Sequence, residues 1–251
     1  MTRVALVQGG SRGVGLAFVR ALLARRDVDR VVATSRHPEQ SEALTALAET
    51  HGDALVRVAL DVRDEDAIAR AAEAVSRHGI ERLHLLLNCA GLLHEGRALA
   101  PEKRLEALDP ERLRTVFEVN AFGPILVAKH FLPFLKHEER AVLGNLSARV
   151  GSIEDNGIGG WYAYRASKSA QNQFTRTLAI ELRRRAPNVV CLALHPGTVD
   201  TDLSKPFQRG VPPEKLFSPE RAATQLLDVI EARQREDSGG FFAWDGTPIP
   251  F

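Results

Sequence analysis

The fold of this chain is decided near its beginning, where residues 4–15 read VALVQGGSRGVG. The first four residues form an unbroken apolar run, which is typical of a strand buried on both faces of a sheet. The glycines that follow allow a tight turn, because glycine has no Cβ and adopts backbone angles that other residues avoid. From Val14 to Arg26 apolar residues then recur at helical spacing. The stretch therefore predicts a strand, a glycine-rich turn and a helix.

The same alternation of apolar runs and helix-like segments continues along the chain. Further strands are predicted at 31–33, 55–60, 83–87, 141–146, 189–194 and 241–244. Helices are predicted at 39–49, from a cap at Asp64 to 77, from a cap at Asp109 to 136 with a bend near 123–124, at 163–185, and after the start signal at 218–220. No repeat or linker divides residues 1–251. We therefore predict one doubly wound α/β domain, with a mostly parallel sheet of six or seven strands and helices on both faces.

Composition and charge exclude several classes of protein. The chain is 44% hydrophobic and 26% charged, as expected for a globular protein rather than a disordered or collagen-like one. Its net charge of +1 gives no general attraction to nucleic acid or to a membrane surface. No apolar run approaches the ~18 residues of a membrane span, and no signal peptide is indicated. Cys89 and Cys191 form no CxxC pair, so we expect a reduced, cytoplasmic location.

The glycine-rich turn has the chemistry of a phosphate site. Gly9, Gly13 and Gly15 follow a GxxxGxG spacing, whereas GxGxxG fits poorly because Phe18 stands where a small residue is needed. A backbone without Cβ atoms can approach a pyrophosphate, and a helix N-terminus offers N–H groups to the anion. A glycine-rich turn without a ligand is the alternative, which the position after the first strand of an alternating α/β chain disfavours.

The end of the second predicted strand bears on the kind of nucleotide. It reads Thr34-Ser35-Arg36, without the acidic residue that would bind the ribose 2′-OH of NAD. Arg12 lies inside the glycine-rich turn, and two guanidinium groups could hold a 2′-phosphate in bidentate fashion. We therefore predict NADP(H) in preference to NAD(H). The alternative is that both arginines belong to the solvated surface.

Tyr164 and Lys168 form a second candidate site. They lie four positions apart on the predicted helix 163–185, so both project from one face. The ordinary tyrosine pKa of ~10 is too high for proton exchange near neutrality, and a neighbouring ammonium lowers it. The pair is therefore a candidate acid/base centre. An ordinary exposed pair of residues, four positions apart on a solvated helix, is the alternative.

Together these motifs resemble the short-chain dehydrogenase/reductase family, and the resemblance covers essentially the whole chain. Gly9, Gly13 and Gly15 match the TGxxxGxG motif of the family, with Gln8 in place of the threonine. The other matches, in chain order, are Asp61-Val62, Asn88-Cys89-Ala90-Gly91 for NNAG, Asn120, Tyr164-Arg165-Ala166-Ser167-Lys168 for YxASK, and Pro196-Gly197 with Thr201. Residues 147–152 and 195–201 are most similar to the C-factor-like branch of the family.

The resemblance implies a Rossmann-type fold and an oxidoreductase that interconverts a carbonyl and an alcohol with NADP(H). Tyr164 is then the proton donor or acceptor, Lys168 also binds the nicotinamide ribose, and Asn120 supports a proton-relay water. The implied cofactor-binding residues are Gly9, Ser11, Arg12, Gly13, Val14, Gly15, Ser35, Arg36, Asp61, Val62, Asn88, Ala90, Gly91, Tyr164, Lys168, Pro196, Gly197, Val199 and Thr201. Family members are usually homodimers or homotetramers, with the helices around Asn120 and Tyr164 at one interface.

One departure from the family pattern concerns the catalytic serine. The family usually places it second in a Ser-Ser pair at the end of strand five, whereas this chain reads Ser147-Ala148. Ser147 is our first candidate because it stands at the strand end, and Ser152 is the second. Neither lies at the usual distance from Tyr164, which an insertion around 154–160 explains.

The expected substrate is a small carbonyl compound or alcohol, with a pocket shaped by the loops 92–108 and 202–217. Trp161, Tyr162, His94 and Phe207 flank this pocket and suit an apolar or aromatic substrate, although packing of loops or subunits is an equal alternative. His195 is expected to be structural. The histidines form no HExxH or His/Cys cluster, so we expect no metal.

Two other functions stay open at this point. A nucleotide-binding regulatory or signalling protein with little or no turnover is compatible with Ala148 and with the C-factor-like resemblance. An epimerase or dehydratase is disfavoured, because little chain follows Gly197 to build a substrate domain. We expect no nucleic-acid or membrane partner.

Overall fold

The computed structural model describes residues 3–96 and 98–251, and within them nine strands occur. They are β1 (Val4–Gln8), β2 (Arg30–Ser35), β3 (Leu55–Ala59), β4 (Leu85–Asn88), β5 (Ala141–Leu146), β6 (Val189–His195), β7 (Thr198–Val199), β8 (Leu216–Phe217) and β9 (Gly240–Ala243). Seven of them form one parallel sheet in the order β3-β2-β1-β4-β5-β6-β9. The strand order reverses between β1 and β4, which opens a crevice at the carboxyl ends of these strands.

Helices cover both faces of the sheet. They are α1 (Gly13–Leu23), α2 (Glu42–His51), α3 (Glu65–Arg77), α4 (Pro110–Phe117), α5 (Gly123–Leu135), α6 (Tyr162–Arg185) and α7 (Pro219–Ala232). Helices α3, α5 and α6 share one hydrophobic core with the sheet, and α1, α2 and α7 share the other. On the second face α7 packs directly against α1. The predicted doubly wound α/β fold is confirmed.

The first strand shows why an unbroken apolar run is needed. All five residues of β1 are buried, because both faces of a parallel sheet are covered. Successive side chains point to opposite faces of a strand. Val4 and Leu6 accordingly belong to the core under α3, α5 and α6, and Ala5 and Val7 belong to the core under α1, α2 and α7.

Helix starts lie where the capping residues place them. The Asp64 carboxylate accepts from Asp66 N and Ala67 N at 2.9 and 3.2 Å. Asp109 and Ser218 cap α4 and α7 in the same way. Each side chain accepts from an N–H that has no partner inside its helix. The ends of strands and helices otherwise differ from the expected ones by up to a few residues.

The helix expected from Asp109 to 136 is interrupted rather than merely bent. A π-helical turn, Glu118–Phe122, separates α4 from α5. Pro124 has no N–H, so it cannot give the Asn120 carbonyl the bond that residue 124 of an α-helix would provide. The main-chain carbonyl of a candidate site residue therefore lacks the donor that an uninterrupted α-helix without proline would give it.

The pairing of β7 with β8 is a feature that the sequence did not predict, because two-residue strands carry no periodicity. Thr198 pairs with Leu216 and Val199 with Phe217, and Asp200 N donates to Phe217 O at 2.8 Å. The loop 202–217 is thereby closed at its base. Among the described residues, no helix combines the length and apolar character needed to cross a bilayer.

Candidate active site

The predicted site residues gather at the carboxyl edge of the sheet. Gly9 follows β1, Arg36 follows β2, Ala90 lies just after β4, Ser147 follows β5 and Pro196 follows β6. Parallel strands end on the same side, so these residues are brought together from distant parts of the sequence. They surround the crevice between β1 and β4.

The glycine-rich turn is too crowded for side chains. A Cβ at Gly15 would lie 2.1 Å from Gly9 O, and a Cβ at Gly9 would lie 2.7 Å from Ala90 N. Gly9 and Gly13 have φ angles of 81° and 55°, in the left-handed region that favours glycine. The side chain of Arg12, at the start of α1, makes no capping hydrogen bond. No side chain among residues 3–96 and 98–251 caps the first turn of α1, so the turn fits the pyrophosphate of a dinucleotide.

Gln8 takes over a structural link at the position of the family threonine. Its side chain is buried, and Oε1 accepts from Ala90 N at 3.2 Å. The main chain makes a second link, because Cys89 N donates to Gln8 O at 2.9 Å. Gln8 therefore attaches the turn to the segment after β4.

The residues at the end of β2 are candidates for binding the ribose 2′-phosphate of a dinucleotide. Arg36 is exposed, and the neighbouring Ser35 hydroxyl is buried with no hydrogen-bond partner in the described part of the chain. Arg12 lies 3.9 Å from Asp202 in an exposed ion pair, which contributes little stability and leaves the guanidinium free to rearrange. Asp61, after β3, is half-buried and accepts from Arg63 N at 3.0 Å. Val62 beside it is buried.

The segment after β6 reaches the glycine-rich turn. Gly197 has a φ of 79°, and a Cβ there would lie 2.6 Å from the Phe217 ring. Val199 is buried in the β7–β8 pair. Thr201 Cγ2 lies 3.4 Å from where a Cβ on Gly13 would stand. The structure thus brings the predicted residues after β1 and β6 into contact.

Asn88 has a different place from the one expected. It is fully buried, and Nδ2 donates to Asn145 Oδ1 at 2.8 Å. Asn145 Nδ2 donates in turn to Thr175 Oγ1 at 2.8 Å. The side chain therefore joins β4, β5 and α6 rather than lining the crevice, while Ala90 and Gly91 after it are partly accessible.

Tyr164 and Lys168 lie side by side on α6, and both are buried, 7% and 3% exposed. Lys168 Nζ lies 5.9 Å from the centre of the Tyr164 ring. It donates to Leu146 O at 2.7 Å and to Gln171 Oε1 at 3.1 Å. Burial excludes the alternative of a solvated surface pair. The two groups therefore lie together in a low-dielectric setting.

Burial controls the ionisation of both groups. It raises the pKa of the Tyr164 phenol, and it lowers the pKa of Lys168 to about 7. The expected lowering of the tyrosine pKa by the ammonium is therefore not what the structure gives, because desolvation of the phenolate dominates. A phenol that keeps its proton at neutral pH is suited to act as an acid.

Asn120 connects the loop 92–108 to α6. Its Oδ1 accepts from Leu92 N at 2.7 Å, and its Nδ2 donates to Leu92 O at 2.8 Å and to Ser167 Oγ at 3.1 Å. Ser167 Oγ donates to Tyr164 O at 2.8 Å. Both ends of the Asn120 side-chain amide are thus committed to protein partners.

The two candidate serines differ in the use of their hydroxyl protons. Ser147 Oγ donates to Asn172 Oδ1 at 2.6 Å, which turns it toward α6. Ser152 Oγ accepts from Asp155 N at 3.1 Å. Both serines are buried, and Ala148 between them is half-buried. Ser147 uses its hydroxyl proton in a hydrogen bond to an amide oxygen. The Ser152 hydroxyl accepts a hydrogen bond instead, so its own proton is not used in that bond.

Three of the four predicted pocket side chains form a wall beside Tyr164. The ring centres of Trp161 and Phe207 lie 4.8 Å apart, those of Phe207 and His94 5.7 Å, and those of Trp161 and Tyr164 6.2 Å. His94 Nε2 donates to the carbonyl oxygen of residue 202 at 3.0 Å, which links the loops 92–108 and 202–217. The fourth, Tyr162, is 41% exposed. Arg97 of the first loop lies outside the described residues.

Glu102 is a site residue that sequence reasoning missed. Its carboxylate is only 5% exposed and accepts from Ala163 N at 3.1 Å, at the start of α6. Its main-chain oxygen accepts from Trp161 N. Trp161 has a φ of 51°, and it is the one non-glycine residue with positive φ in the described part of the chain. No sequence signal marks this contact, because it joins residues 61 positions apart.

His195 and the remaining histidines suggest no further chemistry. Burial lowers the pKa of His195 to about 4, so this side chain is neutral at physiological pH. Across residues 3–96 and 98–251, no group of three or more His, Cys, Asp or Glu side chains is placed to hold a metal ion.

Comparison with known proteins places this geometry in context. The chain matches the family model for short chain dehydrogenase over residues 3–211. The structure of an NADPH-bound carbonyl reductase from chicken fatty liver is 31% identical, with a TM-score of 0.88 over 100% of this chain and 99% of that one. The carbonyl reductase Sniffer of Drosophila melanogaster is 30% identical, with a TM-score of 0.86 over 100% of both chains. The C-signal protein of Myxococcus xanthus is 35% identical over 57% of this chain and 81% of its own length.

Proposed function

The chain belongs to the short-chain dehydrogenase family, and from that premise we propose that it is an NADP(H)-dependent carbonyl reductase in which Tyr164 exchanges the proton. The observation that carries the proposal is the buried Tyr164–Lys168 pair at the edge of the sheet that also holds the glycine-rich turn. The chicken and Drosophila carbonyl reductases support the reaction class, because each is similar over the full length of this chain.

The proposed chemistry assigns a role to each member of the pair. Bound NADPH supplies a hydride to the substrate carbonyl carbon. Tyr164 donates its phenolic proton to the substrate oxygen as negative charge develops there. The raised pKa of the Tyr164 phenol keeps that proton in place beforehand. The ammonium of Lys168 then faces the phenolate and stabilises it by charge attraction, and it also binds the nicotinamide ribose.

Asn120 is proposed to support the water that returns a proton to the site. Its side-chain amide is committed to Leu92 and Ser167, so we assign this role to its main-chain carbonyl. Pro124 supports the assignment, because a proline there cannot donate to that carbonyl.

The wall of Trp161, Phe207 and His94 supports an apolar or aromatic carbonyl substrate. Aromatic rings offer large apolar area for contact with a flat substrate. The loops 92–108 and 202–217, which carry His94 and Phe207, are proposed to set the shape of the pocket. Their link through the His94 ring holds the two loops together at the pocket.

The cofactor preference is tested by replacing Arg36 with aspartate. We expect wild type to bind NADPH more tightly than NADH, and Arg36→Asp to weaken NADPH binding by about 10- to 100-fold, because a hydrogen-bonded charge is lost. Fluorescence titration with both nucleotides measures the change. Arg26→Asp is the matched control, since Arg26 is exposed in the segment that follows the C-terminal end of α1. An unchanged ratio of NADPH to NADH affinity in Arg36→Asp would contradict the proposed preference.

The serine assignment is tested by two single substitutions. We propose that Ser152, whose hydroxyl proton is not committed, hydrogen-bonds the substrate oxygen, and that Ser147 is second. Ser152→Ala should then lower kcat by about 10²-fold, as loss of an oxyanion donor does. Ser147→Ala should mainly lower stability, by about 1 kcal/mol, through the lost bond to Asn172. Steady-state kinetics and thermal melts separate the two, and the opposite ranking in kcat would return the role to Ser147.

A regulatory protein with little turnover is the second candidate function. Two observations favour it: Ala148 brings only a methyl group to the usual place of the catalytic serine, and the C-signal protein is similar over part of the chain. A chain that binds NADPH but consumes none with a panel of aromatic and aliphatic carbonyls would support this function over the reductase.

Self-association as a homodimer or homotetramer is proposed as well. Phe122, in the same π-helical turn as Asn120, and Ile180, further along the helix that carries Tyr164, expose large apolar side chains. Burying them between subunits would remove apolar surface from water. Light scattering coupled to size-exclusion chromatography should give a mass of two or four chains, and a mass of one chain would contradict the proposal.

A further inference from the structure

Gln171 is a buried polar side chain that none of the motifs includes. It lies on α6 one turn after Lys168 and is 1% exposed. Its Oε1 faces the Lys168 ammonium at 3.1 Å, while its Nε2 is buried without a partner among the described residues. An ammonium has donors only, so the orientation of the Gln171 amide follows from its neighbour. Burying the two amide N–H groups without a partner costs free energy. This orientation of the Gln171 amide would therefore be unfavourable without the ammonium beside it.

The hydrogen-bond capacity of Lys168 is almost fully used. An ammonium has three N–H donors. One is directed to Leu146 O at 2.7 Å and one to Gln171 Oε1. One donor therefore remains for another partner. Because both protein acceptors are fixed, on β5 and on α6, they also fix the direction of that remaining donor.

The groups that accept hydrogen bonds from the Lys168 ammonium are uncharged, so no negative charge balances it directly. Cys89, after β4, and Tyr164, on the same helix, are the titratable groups that face it. In the described part of the chain no carboxylate forms an ion pair with it. Burial lowers the pKa of Lys168 to about 7, so small changes in its surroundings alter the charged fraction near neutral pH.

We propose that Gln171 is a positioning residue for Lys168, sharing the ammonium with Leu146 O so that one N–H donor stays directed at the ligand. The inference rests on the proposed function, in which that donor serves the nicotinamide ribose and the ammonium faces the Tyr164 phenolate. Gln171 acts through Lys168 and contacts no reacting atom.

The test measures the protonation of Lys168 in two variants that change it in opposite directions. Gln171→Met keeps the length of an unbranched side chain but removes the acceptor, so the pKa of Lys168 should fall. Gln171→Glu places a carboxylate beside the ammonium, so the pKa should rise. Each shift should be about one pH unit, the size expected for one hydrogen bond to a charged group. The fall in Gln171→Met is the decisive result, because a carboxylate at position 171 would raise the pKa of Lys168 by proximity alone.

The readout is NMR titration of the full chain labelled at lysine Cε. The chain has six lysines, and the signal of Lys168 is the one lost in Lys168→Met. Gln173→Met is the matched control, because Gln173 is exposed two positions along the same helix and should leave the Lys168 midpoint unchanged. Equal midpoints in wild type, Gln171→Met and Gln171→Glu would overturn the inference.

The outcome is separable from that of the proposed function. The titration needs no turnover, so it tests the hydrogen bond between Gln171 and Lys168 even if Tyr164 proves not to be catalytic. Where turnover is present, the alkaline limb of the kcat profile should move with the Lys168 midpoint in each variant. If neither variant folds, contact between the Lys168 ε-methylene and the Gln171 γ-methylene is measured in wild type by nuclear Overhauser effects, and its absence would also overturn the inference.

Discussion

Replacing Tyr164 with phenylalanine should lower kcat for carbonyl reduction by about 10³-fold, the size of a lost general acid. The phenylalanine ring can keep the edge contact with Trp161, whose ring centre lies 6.2 Å from that of Tyr164. Lys168 keeps its bonds to Leu146 and Gln171, so NADPH affinity should stay nearly the same. Stopped-flow reduction and fluorescence titration measure the two quantities separately.

The second tyrosine of the chain provides the matched control. Tyr162 lies two positions earlier and is exposed. Tyr162→Phe should therefore leave kcat and NADPH binding close to wild type. Unchanged turnover in Tyr164→Phe would remove this residue from the mechanism, and an equal loss in both variants would point to a general effect on the start of α6.

A methyl group at Gly15 should abolish tight NADPH binding and destabilise the fold. Its Cβ would lie 2.1 Å from Gly9 O, so the turn must open to accommodate it. Overpacking against backbone costs typically 1–3 kcal/mol, and a contact this short belongs at the upper end, about 3 kcal/mol. That value corresponds to a fall in Tm of about 6–12 °C for a chain of this size.

Gly157→Ala is the control for this substitution. Nothing lies within 4 Å of the Cβ position at Gly157, and its backbone is outside the left-handed region. The control should change stability by less than about 0.5 kcal/mol. Calorimetry and NADPH titration of both variants provide the comparison. A Gly15→Ala protein that melts and binds like wild type would show that the turn is open enough for a side chain and does not hold a pyrophosphate closely.

The fold could be predicted because its signals are local. The apolar run at 4–7, the glycines after it and the caps at Asp64, Asp109 and Ser218 each act within a few residues of themselves. Alternation of such signals along the chain then leaves few arrangements other than a parallel sheet with helices on both faces.

The finer features of the site could not be predicted, because they depend on contacts between distant segments. Glu102 caps α6 from a loop 61 positions away, and no periodicity encodes that distance. Gln171 looks like any polar residue on a helix until its burial beside Lys168 is known. The pKa of Tyr164 was expected to fall because a lysine lay four positions on, whereas the degree of burial, which only packing fixes, raises it.

The packing of α7 against α1 bears on how the protein is made. Phe18 and Leu22 of α1 share a core with Leu226 and Ile230 of α7. Residues 13–23 leave the ribosome roughly 10–40 s before residues 219–232, at synthesis rates of about 5–20 residues per second. During that interval the apolar face of α1 lacks its partner. The helix that follows the glycine-rich turn is thus synthesised early but covered late, and the nascent chain passes through a stage at which chaperones can bind its uncovered face.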